Sequence, residues 1–140
     1  MISRRALLVA LLVLSTAFVA CRKAPVRDIP ENSIPTTYEK SLTMEEVESA
    51  IIMGGSEAGW NMRKQEPGLI IGTIQVRQHE ASVDVRYTET TWSITYRDSS
   101  NLKYNGGNIH VNYNKWVSRL ADGIRKQFGE ALGIRGKNKK

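Results

Sequence analysis

The sequence predicts a small α+β domain with the element order α-β-β-β-β-α, a four-stranded antiparallel meander with two helices packed on one face. Three observations predict this fold. A helix-start signal at Thr43 precedes apolar residues with helical spacing. Four runs between Trp60 and Arg97 alternate apolar and polar residues, as strands with one buried face do. A second apolar stripe with helical spacing extends from Tyr113 to Phe128.

The first helix is predicted to begin directly after Thr43. The segment Thr43-Met44-Glu45-Glu46 fits a capping box, in which the Thr43 hydroxyl accepts from the Glu46 amide and the Glu46 carboxylate accepts from the Thr43 amide. Gly59 is well placed to end this helix. The pair Gly54-Gly55 lies inside it, and each glycine lowers the stability of the helix by about 1 kcal/mol relative to alanine. We therefore expect this helix to depend on tertiary packing.

The four strands are predicted from a period of two residues, with turns at Pro67-Gly68, at 78–81 and at 88–91. Short turns keep consecutive strands adjacent, which favours an antiparallel meander with one apolar and one solvated face. The apolar face is expected to include eleven side chains: Trp60, Met62, Ile70, Ile74, Val76, Val83, Val85, Tyr87, Trp92, Ile94 and Tyr96. We expect the aromatic residues among them to be core residues rather than a ligand cage.

The last helix is predicted from apolar residues at helical spacing, with Asn112 as a plausible N-cap. The stripe consists of Tyr113, Trp116, Val117, Leu120, Ile124 and Phe128. This face is expected to cover the apolar side of the sheet together with the first helix.

The first 20 residues have the layout of an export signal. Arg4 and Arg5 precede an uncharged, mainly apolar run over 6–20, which is shorter than the roughly 20 residues of a membrane-spanning helix. Small residues, Val19 and Ala20, then stand before Cys21, the single cysteine of the chain. The stretch 14–21 resembles the lipobox of bacterial lipoproteins, although Phe18 stands where leucine is commonest in that family.

This resemblance implies that Cys21 receives a diacylglycerol on its sulfur, that the signal is removed before it, and that the new amino terminus is acylated. Two or three acyl chains hold a protein stably on a membrane, whereas one does not. Arg22 after the cysteine, rather than aspartate, implies the outer membrane, facing the periplasm. The alternative is an ordinary signal peptide that leaves a free thiol.

The chain of 140 residues is thus divided into a signal peptide (1–20), a lipidated cysteine with a flexible tether (21–41), one α+β domain (42–128) and a basic tail (129–140). The tether is predicted because it holds three of the four prolines: Pro25, Pro30 and Pro35. Without Arg4 and Arg5, the net charge falls from +6 to +4. Nucleic acid is not an expected partner of such an exported protein.

The connection between the fourth strand and the last helix is long and rich in Asn, Ser, Gly and Tyr. Its candidate binding residues are Asp98, Asn101, Lys103, Tyr104, Asn112 and Tyr113. Tyrosine and asparagine give contact area and adaptable hydrogen bonds, as recognition surfaces use them. The competing hypothesis is structural: Asp98 and Asn101 bond to loop backbone, and Tyr104 packs beneath the sheet. The run from Gly59 to Trp116 also resembles a group of small, uncharacterised lipoproteins of Gram-negative bacteria, which implies no activity.

Catalysis, a cofactor and a metal centre are not expected. One cysteine and two histidines are too few for a zinc site. His79 and His110 are interpreted as a solvated turn histidine and a helix-capping histidine. Motifs for a serine nucleophile, a zinc protease or a phosphate-binding loop do not occur.

Two function classes remain, with an enzyme as the outsider. The first is a non-catalytic interaction module that binds another envelope protein. The alternative is a small-ligand or glycan binder that uses the connection 98–115. A large exposed apolar patch would favour the first class. A concave pocket lined by Asn101, Lys103 and Tyr104 would favour the second.

Overall fold

The computed structural model describes residues 22–134, so the predicted signal, Cys21 and residues 135–140 lie outside the described part. The described elements are β1 (Lys23–Pro25), β2 (Ile29–Ser33), α1 (Met44–Glu57), β3 (Asn61–Glu66), β4 (Leu69–Val76), β5 (His79–Tyr87), β6 (Thr91–Ser100), β7 (Asn108–His110) and α2 (Val111–Ala131). The predicted α+β class with two helices is confirmed. Neither described helix is long and apolar enough to cross a membrane.

The main sheet is antiparallel, with the strand order β2-β6-β5-β4-β3. Strands β3 to β6 form the predicted meander, but β2 adds a fifth strand beside β6, where Ile29 lies opposite Ile94 and Ser33 opposite Thr91. The prediction of four strands is therefore wrong in number. Pro30 is one of the three prolines that predict a tether, yet an edge strand tolerates proline because one side of its backbone has no neighbour to bond.

The segment predicted as a flexible tether contributes to the fold twice. Besides β2, it provides β1, which pairs with β7 in a separate two-stranded sheet, with Lys23 opposite His110. The Val111 amide donates to the Arg22 carbonyl at 3.0 Å. Ile34, directly after β2, is buried at 4% exposure. The folded part therefore begins about 20 residues before Leu42.

Both helices pack on the apolar face of the main sheet, and their buried residues join one core. The capping box of Thr43 and Glu46 is confirmed, and Gly59 follows the end of α1 with φ +88°. All six residues of the predicted α2 stripe are buried. The helix extends to Ala131, so three residues of the predicted basic tail belong to it.

The helices approach each other most closely at two glycines. A Cβ on Gly54 would lie 2.5 Å from the carbonyl oxygen of Gly123, and a Cβ on Gly123 would lie 2.5 Å from that of Gly54. The space beside Gly55 is filled by the Met62 side chain. The glycine pair that weakens α1 as an isolated helix is thus required by its packing. We call the contact of Gly54 with Gly123 the helix crossing.

The start of α2 corrects one prediction. His110, not Asn112, is the N-cap: its Nδ1 accepts from the Asn112 amide at 3.2 Å. The helix begins directly after β7, so residue 112 already lies in its first turn. The interpretation of His110 as a capping histidine is confirmed.

Candidate functional site

The end of β6 and the residues after it enclose a cleft of about 530 Å³, which we call the loop cleft. It is lined by Tyr96, Arg97, Asp98, Ser99, Asn101, Leu102, Lys103 and Tyr104. This volume lies in the range that accommodates small ligands, about 300–1,000 Å³. Most of the lining residues are polar, so the cleft suits a ligand with many hydrogen-bonding groups.

A β-bulge aims the lining side chains of β6. Val83 on β5 lies opposite Tyr96, whereas Ser82 lies opposite Asp98, so Arg97 is an extra residue without a partner position. Such a bulge bends its strand and re-aims side chains. After it, the strict alternation of inward and outward residues no longer applies to the end of β6.

The loop backbone beyond β6 is held in a left-handed conformation at two positions. Asn101 has φ 59° and Lys103 has φ 53°. Hydrogen bonds fix this path: the Asn101 side-chain amide donates to the Gln78 carbonyl at 2.6 Å, and the His110 amide donates to the Leu102 carbonyl at 2.8 Å. Leu102 between them is buried at 1% exposure. Such conformations in residues other than glycine cost about 1–3 kcal/mol and cluster at functional sites.

Three tyrosines connect the cleft to the core. Tyr104 is 42% exposed and stacks on Tyr96, with ring centroids 4.2 Å apart and planes inclined by 26°. Tyr96 in turn packs in a T-shaped arrangement against the fully buried Tyr113, with ring centroids 5.7 Å apart. Burial raises the pKa of the Tyr96 and Tyr113 hydroxyls, and the Asp28 carboxylate adds to the effect at Tyr113. Both hydroxyls therefore stay neutral at physiological pH.

The polar groups of the cleft are partly engaged with one another. Arg97 forms an ion pair with Asp84 at 2.8 Å on the solvated face of the sheet. The Asp98 carboxylate accepts from the Ser99 amide at 2.8 Å, and the Tyr96 hydroxyl lies 2.9 Å from the Ser99 hydroxyl. A carboxylate has further acceptor capacity beyond one such bond. Asp98 can therefore still accept from a ligand hydroxyl.

Four of the six predicted binding residues line the loop cleft: Asp98, Asn101, Lys103 and Tyr104. Tyr113 lies beneath it in the core, and Asn112 lies in the first turn of α2. The structural hypothesis is also met in part, because Asp98 and Asn101 bond to backbone groups. Tyr104, however, stacks at the rim of the cleft rather than beneath the sheet.

Tyr96, Arg97 and Ser99 also line the cleft, and sequence reasoning did not select them. The alternating pattern assigned Tyr96 to the apolar face and Arg97 to the solvated face. Both residues lie on those faces in the structure. The bulge shifts the register after Tyr96, so that Ser99 lies opposite Ala81 and its hydroxyl lies beside that of Tyr96, and a bulge is not visible in a pattern of period two. The polar run that follows Arg97 was the only available signal.

The two histidines come together, although they are 31 positions apart. Their rings stack with centroids 6.3 Å apart. His79 Nδ1 lies 2.8 Å from the Asn101 carbonyl, while His110 Nδ1 caps α2. Each ring is therefore bonded to a backbone group, that of His79 across the sheet end and that of His110 within its own helix start. Over residues 22–134, no group of three or more His, Cys, Asp and Glu residues could hold a metal ion.

A second groove of about 530 Å³ lies on the outer face of α1 and is lined by Glu45, Glu48, Ser49, Ile52, Met53 and Ser56. Met53 is 51% exposed there. The other exposed large apolar or aromatic residues among 22–134 are dispersed along the chain: Tyr38, Val76, Tyr104 and Ile134. The prediction that Val76 lies on the buried face of the sheet is therefore wrong, because β4 ends there and the core does not extend to that end of the strand. The groove is thus a small apolar surface rather than a broad patch.

Compared with protein-family models, curated proteins and solved structures, the chain matches none of them. Its function is therefore inferred from the geometry of the loop cleft and of the surfaces around it.

Proposed function

We propose that the chain is a lipid-anchored, non-catalytic binding protein of the bacterial envelope, and that its loop cleft takes a polar ligand such as a glycan. The observation that carries this proposal is the exposed Tyr104 ring, stacked on Tyr96 beside Asp98, Asn101 and Lys103. A sugar ring has an apolar C–H face that packs on an aromatic ring, and hydroxyls that need donors and acceptors. The cleft offers both.

The residues that line the cleft are also ordered in the absence of a ligand. The Tyr96–Tyr104 stack and the hydrogen bonds of Asn101 hold the lining in one conformation. A site that is already ordered loses less conformational entropy on binding. The two left-handed residues, Asn101 and Lys103, are consistent with a loop whose shape is maintained at some cost in stability.

The anchor part of the proposal rests on the lipobox resemblance of residues 14–21. Attachment through Cys21 would place the domain at the outer membrane, facing the periplasm. Cys21→Ser is expected to abolish labelling by a fatty-acid analogue and to yield a soluble or signal-retaining form. Unchanged labelling would contradict the lipid anchor without bearing on the cleft.

The binding part is tested with the intact protein in detergent micelles, titrated with fragments of envelope glycans and followed by calorimetry. Tyr104→Ala is expected to lower the affinity at least tenfold while the melting temperature stays nearly unchanged. Tyr38→Ala is the matched control, because Tyr38 is fully exposed and does not line the cleft. If binding by the Tyr104 variant falls only in proportion to lost folded protein, the loop is architecture and the proposal fails.

A second candidate is an interaction module for another envelope protein, favoured by the exposed Met53 in the groove of α1. We rank it second because Met53 is the only exposed large apolar residue among those that line the groove, and one of its glutamates, Glu48, is already bound to Lys64 at 2.8 Å. Crosslinking and pull-down from native membranes, repeated with Met53→Ser, tests it. A specific partner that is lost in this variant, and kept in Tyr104→Ala, would reverse the ranking.

A further inference from the structure

The described chain begins inside the fold, close to the proposed anchor. Arg22 accepts a hydrogen bond from the Val111 amide at 3.0 Å, and Lys23 is already paired opposite His110. Consecutive Cα atoms are about 3.8 Å apart. An acyl chain on Cys21 would therefore be attached next to β1, with no linker to hold the domain away from the bilayer.

From β1 the chain continues along the first turns of α2. The Asn114 side-chain amide donates to the Pro25 carbonyl at 2.8 Å, and the Arg27 amide donates to the Asn114 side-chain oxygen at 2.9 Å. The Arg27 guanidinium donates to the Ser118 hydroxyl at 3.1 Å. The first two bonds hold the backbone of residues 25–27 against α2, and the third holds the Arg27 side chain on its surface.

Five exposed cations lie along this path, and we call them the anchor-side patch: Arg22, Lys23, Arg27, Lys115 and Arg119. The last three line one shallow groove of about 370 Å³, together with Asn114 and Ser118. Lys115 and Arg119 are one helical turn apart, so their side chains lie on the same face of α2.

No member of the anchor-side patch forms an ion pair with any residue of 22–134, whereas cations elsewhere, such as Lys64, do. Acids that neighbour the patch in sequence are engaged otherwise. The Asp28 carboxylate accepts from the Tyr96 amide at 2.8 Å, and Asp122 pairs with Arg125 at 3.1 Å. The patch thus presents positive charge that the protein itself does not neutralise.

We infer that the anchor-side patch seats the domain directly on an anionic phospholipid surface, with headgroup phosphates opposite Arg27, Lys115 and Arg119. The inference rests on the proposed anchor, because acyl chains on Cys21 would keep the patch at the bilayer. Attraction between surface cations and anionic headgroups falls off within a Debye length, about 8–10 Å. A domain attached without a linker lies within that range.

The seating is tested by footprinting of native lysines in the full-length protein. The protein is reconstituted into phosphatidylcholine vesicles with and without phosphatidylglycerol, and a water-soluble amine-acylating reagent is added. Labelling of Lys23 and Lys115 is expected to be several-fold lower in the anionic vesicles. Lys64 and Lys126 are the internal controls, since both lie outside the patch, and their labelling should be equal in the two vesicle types.

A pair of double variants distinguishes the effect of charge in the anchor-side patch from the effect of the protein's overall net charge. Arg22→Gln/Arg119→Gln removes two patch cations, and Arg63→Gln/Arg86→Gln removes two exposed cations from strands of the main sheet. The first variant should abolish most of the protection of Lys23 and Lys115, and raised salt should do the same. The second variant should retain the protection.

Equal labelling of Lys23 and Lys115 in both vesicle types would overturn the seating, as would equal loss of protection in the two double variants. Mass analysis of the Cys21 peptide from the same samples reports acylation separately. An acylated Cys21 without lysine protection would leave the anchor in place and refute the seating. Protection with an unmodified Cys21 would refute the lipid anchor and, with it, the inference in this form, because the patch would then bind anionic lipid without acyl chains.

Discussion

The helix crossing and the loop cleft differ in where the chain uses glycine. At the crossing, Gly54 and Gly123 let two helices approach so closely that a Cβ on either would touch the other's backbone at 2.5 Å. In the cleft, Asn101 and Lys103 carry side chains at left-handed positions where glycine would be less strained. At the crossing, the absence of side chains permits close packing of the helices. In the cleft, side chains are present although the backbone conformation makes them unfavourable for stability.

This difference indicates where stability and binding reside. Residues around the crossing are buried and belong to one core, so changes there should alter the free energy of unfolding. Residues of the cleft are largely exposed and held by a few hydrogen bonds, so changes there should alter binding and leave stability nearly constant. The following substitutions sharpen or break this division.

The largest effect is expected for Leu120→Ala on the core side. Leu120 is completely buried in α2, and its truncation should lower the free energy of unfolding by about 2–5 kcal/mol through lost burial and a residual cavity. Denaturant unfolding measures it. Arg119→Ala, the exposed neighbour, should lie within about 0.5 kcal/mol of the wild type. Similar losses for both would show that the buried face of α2 is misassigned.

Gly54→Ala should destabilise by about 1–3 kcal/mol, although alanine favours a helix, because the added Cβ forces the helices apart. Gly129→Ala is the matched control within α2: the nearest atom to its Cβ would be 3.9 Å away. There the gain in helix propensity should dominate, raising stability by up to about 1 kcal/mol. Thermal melts of both variants test this, and a stabilised Gly54 variant would disprove the close crossing.

Tyr87→Phe should cost about 1 kcal/mol near neutral pH, because the Tyr87 hydroxyl donates to the Glu48 carboxylate at 2.8 Å. Hydrogen bonds from Lys64 and then from Tyr87 lower the pKa of Glu48 from its ordinary 4.5. Stability from an acid with a lowered pKa is present above its ordinary pKa and lost as the pH falls through the folded value. The difference between variant and wild type should therefore shrink below about pH 4.5.

Urea unfolding at pH 7 and at pH 3 measures that difference. Tyr38→Phe, at a fully exposed tyrosine, should be neutral at both pH values. A cost of Tyr87→Phe that stays constant over this range would show that the Glu48 bond is not its source.

The smallest effect on stability is expected for Lys103→Gly in the cleft. The left-handed conformation costs a lysine about 1–2 kcal/mol, while glycine adds about 0.5–1 kcal/mol of unfolded-state entropy. The backbone contribution should therefore be a gain of up to about 1 kcal/mol, accompanied by weaker glycan binding. A clear loss of stability together with unchanged binding would assign Lys103 to the architecture of the loop.

Much of the fold could be predicted because its signals are local. The capping box at Thr43, the meander of β3 to β6 and the α2 stripe depend on residues a few positions apart, and all three are confirmed. Strand β2 could not be predicted in the same way. Its proline, Pro30, fits a tether as well as an edge strand, and only the pairing with the edge of β6 decides between them.

For the candidate site, composition was sufficient to select the segment but not the arrangement. The density of Asn, Ser, Gly and Tyr after β6 identified four residues that line the cleft. Ser99 lies beside Tyr96 because a bulge shifts the register at Arg97, and Asn112 lies outside the cleft because the helix begins at Val111. Both outcomes depend on registers set by neighbouring strands.

The sequence by itself determined the elements with a strong local period, the capping of α1 and the segment that forms the cleft, because these follow from spacing along the chain. Only the tertiary structure decided that residues 22–34 belong to the fold, that Gly54 meets Gly123, and that Arg27 lies beside Lys115 and Arg119. These contacts join residues about 55 to 90 positions apart in the sequence. They depend on complementary surfaces and free strand edges, which no local pattern encodes.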